Sequence, residues 1–138
     1  MKKIYFACSI RGGRDDAEIY AGLVASIKKQ AEVLTEIFAD QKLTSAGMNK
    51  PSNDIWSIDM AWVTAADGLI AEVTNPSLGV GYEIAKAEDM HKPILCLFRP
   101  SSERKLSAMI GGNPSVIVIE YQTPGQAEAA IKEFISKL

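Results

Sequence analysis

Apolar positions in this chain fall into short continuous runs separated by stretches with helical spacing. Lys3 to Cys8 is one such run, a predicted strand, and it stops at the glycine-bearing turn Ser9-Ile10-Arg11-Gly12-Gly13. From Asp15 to Lys29 the positions Ile19, Leu23 and Ile27 line one face of a helix. Val33 to Phe38 predicts a second strand, and Ala39 to Pro51, rich in Lys, Ser, Gly and Asn, reads as a long loop of the kind that often serves function. A helix is expected from Ser52 to about Ala66, with a core stripe of Ile55, Ile58, Trp62, Val63 and Ala66. Asp67 to Val73 is a strand of the buried type, closed by the turn Asn75-Pro76-Ser77, and Gly79 to Met90 is the next helix. Pro93 to Phe98 and Ser115 to Glu120 complete the strands, with a short helix over Ser101 to Ile110 between them and a closing helix over Gly125 to Leu138.

Strands alternating with helices predict parallel pairing, right-handed crossovers and helices on both sheet faces. The expected fold class is α/β: a three-layer sandwich around a five-stranded parallel sheet, flavodoxin- or Rossmann-like, in the order 2-1-3-4-5, with residues 1–138 forming a single domain. In that order the chain reverses direction between the first and third strands, and a ligand crevice opens beyond their C-terminal ends. Those ends carry Ser9 to Gly13 and Thr74 to Glu83, two turns marked by glycine and serine.

Composition narrows the function. Lys and Arg number 15 against 17 Asp and Glu, a formal charge of −2, so no basic field is available to hold a nucleic-acid backbone or an anionic membrane. No apolar run reaches the length of a membrane span and the N-terminus lacks a signal-peptide pattern, so a cytoplasmic protein is expected. Cys8 and Cys96 sit in apolar stretches without metal-ligand spacing and read as small buried residues.

Two acids break their local pattern. Asp59 lies four residues after Ile55 and falls on the buried face of its helix, where a charge is costly unless paired, hydrogen-bonded or protonated. A structural acid that caps a loop or pairs with an arginine accounts for it as well as a functional one does. Glu83 falls at the edge of the Val80, Ile84, Ala87 stripe in what reads as a first helical turn, where the helix dipole alone would favour it; the same explanation serves for Asp15 and Asp16. Taken together, Asp59 and Glu83 converge on the predicted crevice, and two carboxylates without a nucleophile–histidine pair or a metal cluster suit chemistry at an acetal-like carbon. Ser9, the turn amides, Ser77 and the Gly79-Val80-Gly81 helix start offer donors for an anion such as phosphate, although Gly-Val-Gly is a weak signal alone. Trp56 and Trp62 read as core or interface aromatics rather than a base-stacking platform, and His91 has no nucleophile or metal partner in the pattern.

The strings Ser9 to Arg14, Val33 to Glu36, Ala71 to Glu83, Ile94 to Pro100 and Leu106 to Ile110 closely resemble the 2′-deoxynucleoside 5′-phosphate N-hydrolases of the nucleoside 2-deoxyribosyltransferase superfamily, over nearly the whole chain. The resemblance implies hydrolysis of the N-glycosidic bond of a deoxynucleoside monophosphate, with Glu83 attacking C1′, Asp59 protonating or positioning the departing base, and Tyr5 holding the nucleophile and packing where a 2′-hydroxyl would sit. It further implies substrate contacts from Ser9, Ile10, Arg11, Gly12, Tyr20, Ser77, Gly79, Ser107 and Met109, and a homodimer in which Ser107 reaches the neighbouring active site. No metal or organic cofactor is implied. Ile37 stands where mammalian relatives have histidine, and Cys8 where they have glycine; the Ala39 to Asn53 loop, which matches poorly, is expected to cover the base. Base exchange by a deoxyribosyltransferase, and a non-catalytic nucleotide- or FMN-binding module, are the alternatives.

Overall fold

The computed structural model describes residues 1–10, 16–35 and 50–138. The strands are β1 (Lys3–Ala7), β2 (Glu32–Val33), β3 (Gly68–Glu72), β4 (Ile94–Phe98) and β5 (Ile117–Glu120). The helices are α1 (Ala17–Lys28), α2 (Ser52–Ala65), α3 (Leu78–Asp89), α4 (Ala108–Gly111) and α5 (Pro124–Ser136), with a 3₁₀ turn at Pro100–Ser102. The strands form one sheet in the order β2-β1-β3-β4-β5, and every pairing is parallel.

The chain leaves β1 toward one sheet edge and then crosses back to β3, so right-handed connections put α1 on one face and α2 and α3 on the other. In agreement, α1 packs beside α5 and α2 beside α3. All five residues of β3 and of β4 are buried, as the middle of a doubly covered sheet requires. Phe6 and Tyr20 meet edge to face, with ring centres 6.5 Å apart, and pin α1 to β1. At Gly68 a Cβ would stand 3.3 Å from Leu138 and Phe134 side-chain carbons, so glycine admits the end of α5 against β3. Lys92 closes α2 by donating from Nζ to the carbonyls of Thr64 (2.8 Å) and Ala66 (2.7 Å).

Three local expectations change. β2 pairs over Glu32 and Val33 only, because the buried Thr35 hydroxyl takes over the ladder: it accepts from Phe6 N–H at 2.8 Å and donates to Phe6 C=O at 2.6 Å. Residues 36–38 of the expected strand lie outside the described residues. The helix expected over Ser101 to Ile110 is replaced by the 3₁₀ turn, a left-handed Glu103 (φ 66°) and the single turn α4. The reason is local hydrogen bonding by serine. Ser102 Oγ donates to the Arg99 carbonyl at 2.8 Å, and Ser107 Oγ caps α4 by accepting from Met109 N–H at 3.3 Å. In the expected α2 stripe only Val63 and Ala66 are buried, while Ile55, Ile58 and Trp62 are half-buried. The N-terminal half of α2 borders a cavity instead of the sheet.

Candidate active site

β1 and β3 are neighbours, and the turns that follow them meet. Asn75 Nδ2 donates to Ser9 Oγ at 3.4 Å, with both residues buried. Ser77 then caps α3, its hydroxyl accepting from Val80 N–H at 3.3 Å, which leaves the first N–H groups of the helix directed outward. Asn-Pro-Ser is a sequence that ends a strand and starts a helix in one step, and it places α3 so that Glu83 faces α2.

A cavity of about 390 Å³ opens between α2 and α3, bordered by Ile55, Trp56, Asp59, Gly79, Tyr82 and Glu83. The two acids of the sequence reading therefore share one space. Glu83 lies in the second turn of α3, since the helix begins at Leu78, and the dipole argument offered for a first-turn acid does not apply to it. Burial pushes the Glu83 carboxyl up to about 8; the charge of Asp59 adds to this and the Tyr5 hydroxyl opposes it. Burial also raises Asp59, to about 6. Tyr5 is fully buried on β1, and its phenol is held far above its ordinary range by burial and by the two acids. Its hydroxyl couples to the Glu83 carboxyl without a partner of full hydrogen-bond geometry, and the buried Asp59 Oδ1 likewise has no partner. Two orphaned polar atoms beside an enclosed carboxyl form a set that a substrate's own polar groups can complete. Both acids are raised, so the pair carries a proton near neutral pH, the condition for one acid to attack while the other protonates.

Gly79 separates this carboxyl from Ser77. A Cβ there would stand 3.8 Å from both Glu83 Oε1 and Ser77 Oγ, so these oxygens are no more than twice that distance apart, with open space between them. Ser77 and Ser107 border a second cavity, of about 580 Å³, with Leu78, Ile84, Met109 and Ile110.

The remaining predicted residues are placed as follows. Ile10 is half-buried beside Ser9, and Arg11 and Gly12 lie outside the described residues, as do Arg14, Asp15 and Ile37. Tyr20 is in the core against Phe6 and borders neither cavity. Asp16 is more than a dipole partner: its carboxylate pairs with Arg99. Arg99 also reaches the fully buried Glu72 at 3.4 Å, and Glu72 accepts from the Tyr121 hydroxyl and from Thr74 N–H at 2.7 Å. Sequence reasoning passed over Glu72, although a carboxylate inside a buried-type strand is itself a signal. Trp56, expected to be a core or interface aromatic, is instead exposed at the cavity; its spacing of three residues from Asp59 puts both on one helix face.

The nucleoside 2-deoxyribosyltransferase family profile matches residues 4–120, spanning β1 to β5 and every residue of both cavities. The chain belongs to that family. Among the family's curated members, the 5-hydroxymethyl-dUMP N-hydrolase of Tetraodon nigroviridis is 46% identical over 138 residues, 97% of either chain. The Mus musculus 5-hydroxymethyl-dUMP N-hydrolase is 50% identical over 111 residues, 79% of this chain and 64% of the mouse protein. The solved structure of Clostridium botulinum CMP N-glycosidase superposes with a TM-score of 0.68 over 96% of this chain and 99% of that one; at 18% identity this is a likeness of fold. In this deoxyribosyltransferase-family chain, no helix among the described residues is long and apolar enough to cross a membrane.

Proposed function

We propose that the protein hydrolyses the N-glycosidic bond of 2′-deoxynucleoside 5′-monophosphates, giving free base and 2-deoxyribose 5-phosphate. The observation that carries this reading is the half-buried Asp59–Glu83 pair facing one cavity, both carboxyls raised, with the buried Tyr5 hydroxyl beside Glu83. The hydrolase names of relatives at 46–50% identity support it. The Glu83 carboxylate attacks C1′ as the C1′–N bond breaks. The electron pair of that bond goes to the base nitrogen, which takes a proton from Asp59. Water then attacks C1′ of the glycosyl ester and gives its proton to Asp59, and Glu83 leaves as carboxylate. The Tyr5 hydroxyl favours the charged form of Glu83, yet Glu83 at about 8 still lies above Asp59 at about 6, so the shared proton passes from Glu83 to Asp59 as attack begins.

Ser77, the α3 N-terminus and the Ser9–Ile10 turn hold the 5′-phosphate; a deoxyribose 5-phosphate bridges the space kept open at Gly79. A second copy of the chain covers the larger cavity and brings Ser107 to the neighbouring phosphate. Leu78 and Met109, exposed by 97% and 82%, are the apolar groups that this contact would remove from water. The chain works as one domain, in the cytoplasm, where two buried cysteines outside any disulfide stay reduced.

The family's own name favours a second reading, transfer of the deoxyribosyl group to another base. One chromatographic assay separates the two. The protein is incubated with 5-hydroxymethyl-dUMP and the common deoxynucleoside monophosphates, with their nucleosides and ribonucleotides, with and without an added acceptor base. Base released from the deoxy-monophosphates without acceptor supports hydrolysis. Release that requires acceptor makes the protein a transferase, and release from nucleosides at equal rate overturns the phosphate assignment.

A further inference from the structure

The cavity that holds Asp59 and Glu83 has an aromatic rim that the proposed chemistry does not use. Trp56 stands one helical turn before Asp59 and Tyr82 directly before Glu83. The two side chains join across the gap between α2 and α3, with Trp56 Nε1 donating to Tyr82 Oη at 3.2 Å. The Lys86 ammonium lies 5.5 Å from the centre of the Tyr82 ring and steadies it further. Yet Trp56 is 53% exposed and Tyr82 45% exposed. An indole gains most by burying its faces; here it is fixed through its edge instead, with much of its ring surface left to solvent at the mouth of the cavity.

We propose that Trp56 is the platform on which the leaving base stacks, and that Tyr82 orients it. The inference rests on the hydrolase reading. With C1′ at Glu83 and the base nitrogen near Asp59, the ring system attached to that nitrogen extends along the α2 side of the cavity, the side from which Trp56 projects. The ligand class is a planar nitrogen heterocycle. As the base takes up its proton it becomes electron-poor, and the electron-rich indole face then holds it more strongly. Stacking depends on overlap area and is tolerant of base identity, so Trp56 sets a preference for large flat bases without reading their edges.

Trp56→Leu keeps apolar bulk and removes the aromatic face, whereas Trp56→Phe keeps a face. On a deoxynucleoside monophosphate, Trp56→Leu lowers kcat/KM by about tenfold to a hundredfold, more for purines than for pyrimidines, and Trp56→Phe recovers most of that loss. A second measurement uses fluorescence. The chain has two tryptophans, so a Trp62→Phe, Glu83→Gln protein reports from Trp56 alone and does not turn over. Its emission is quenched by a deoxynucleoside monophosphate and not by 2-deoxyribose 5-phosphate, which lacks the base. Equal kcat/KM for Trp56→Leu and wild type on every base overturns the proposal, as does unchanged emission when calorimetry shows the nucleotide bound. Failure of the wild type to release base from any deoxy-monophosphate instead removes the hydrolase reading, a separate result.

Discussion

Replacing Glu83 by glutamine should stabilise the fold, and by an amount that grows with pH. Burial holds the Glu83 carboxyl at about 8 against an ordinary 4.5. A carboxyl raised on folding contributes its full stability below its unfolded pKa, and that contribution is lost as pH rises through the folded value. Each pH unit in this window is worth about 1.4 kcal/mol. The raise from 4.5 to about 8 therefore corresponds to about 5 kcal/mol, and water entering around the ionised group brings the expected figure to about 3–5 kcal/mol. For a chain of 138 residues, 1 kcal/mol shifts the melting temperature by about 3–4 °C. Glu83→Gln and wild type should then melt together near pH 4.5 and differ by about 10–20 °C above pH 8, the variant being the more stable. Circular-dichroism melting across that range, with urea titrations at both ends, measures the gap. A gap that stays constant with pH would refute the argument, because it would mean that Glu83 is not enclosed. The stability sacrificed at neutral pH is what an acid retained for chemistry costs its fold.

Activity should follow the same pair. Base release plotted against pH should be bell-shaped with limbs near 6 and 8, apparent values that belong to Asp59 and Glu83 jointly; a flat profile would show that the reaction needs no proton from them. Arg99→Met strips the guanidinium from the buried Glu72 and from Asp16 and should cost about 3 kcal/mol in urea unfolding, part of it recovered in the Arg99→Met, Glu72→Gln double variant. A loss under about 1 kcal/mol would mean that Tyr121 and Thr74 alone satisfy Glu72. Thr35→Val leaves the Phe6 amide and carbonyl without their side-chain partner and should cost about 2–3 kcal/mol in the same assay; a neutral result would mean that water reaches β1 there.

The sheet was legible in the sequence because each inner strand is a continuous apolar run closed by Gly, Pro, Asn or Ser, and strand–helix alternation leaves few topologies. Asp59 and Glu83 were legible because an acid at or beside an apolar stripe contradicts its surroundings. What escaped was set by side chains acting at a distance or on their own backbone. Thr35 shortens β2 through a bond to a residue 29 positions away. Ser102 and Ser107 divert the Ser101 to Ile110 segment through local bonds that a periodicity argument does not weigh. Glu72 is tolerated inside β3 because Arg99 and Tyr121 arrive from just beyond β4 and β5 and Thr74 N–H joins them. Trp56 resembled a core aromatic until the gap between α2 and α3 showed its ring facing solvent beside two acids.

The central claim is that Glu83 breaks an N-glycosidic bond in a deoxynucleoside monophosphate. Its most direct test is the rate of free-base release from 5-hydroxymethyl-dUMP by wild type and by Glu83→Ala, with folding of the variant verified by its melting curve. Release by the wild type should be matched mole for mole by 2-deoxyribose 5-phosphate and should fall at least about a thousandfold in the folded variant. Equal release by both proteins would contradict the claim.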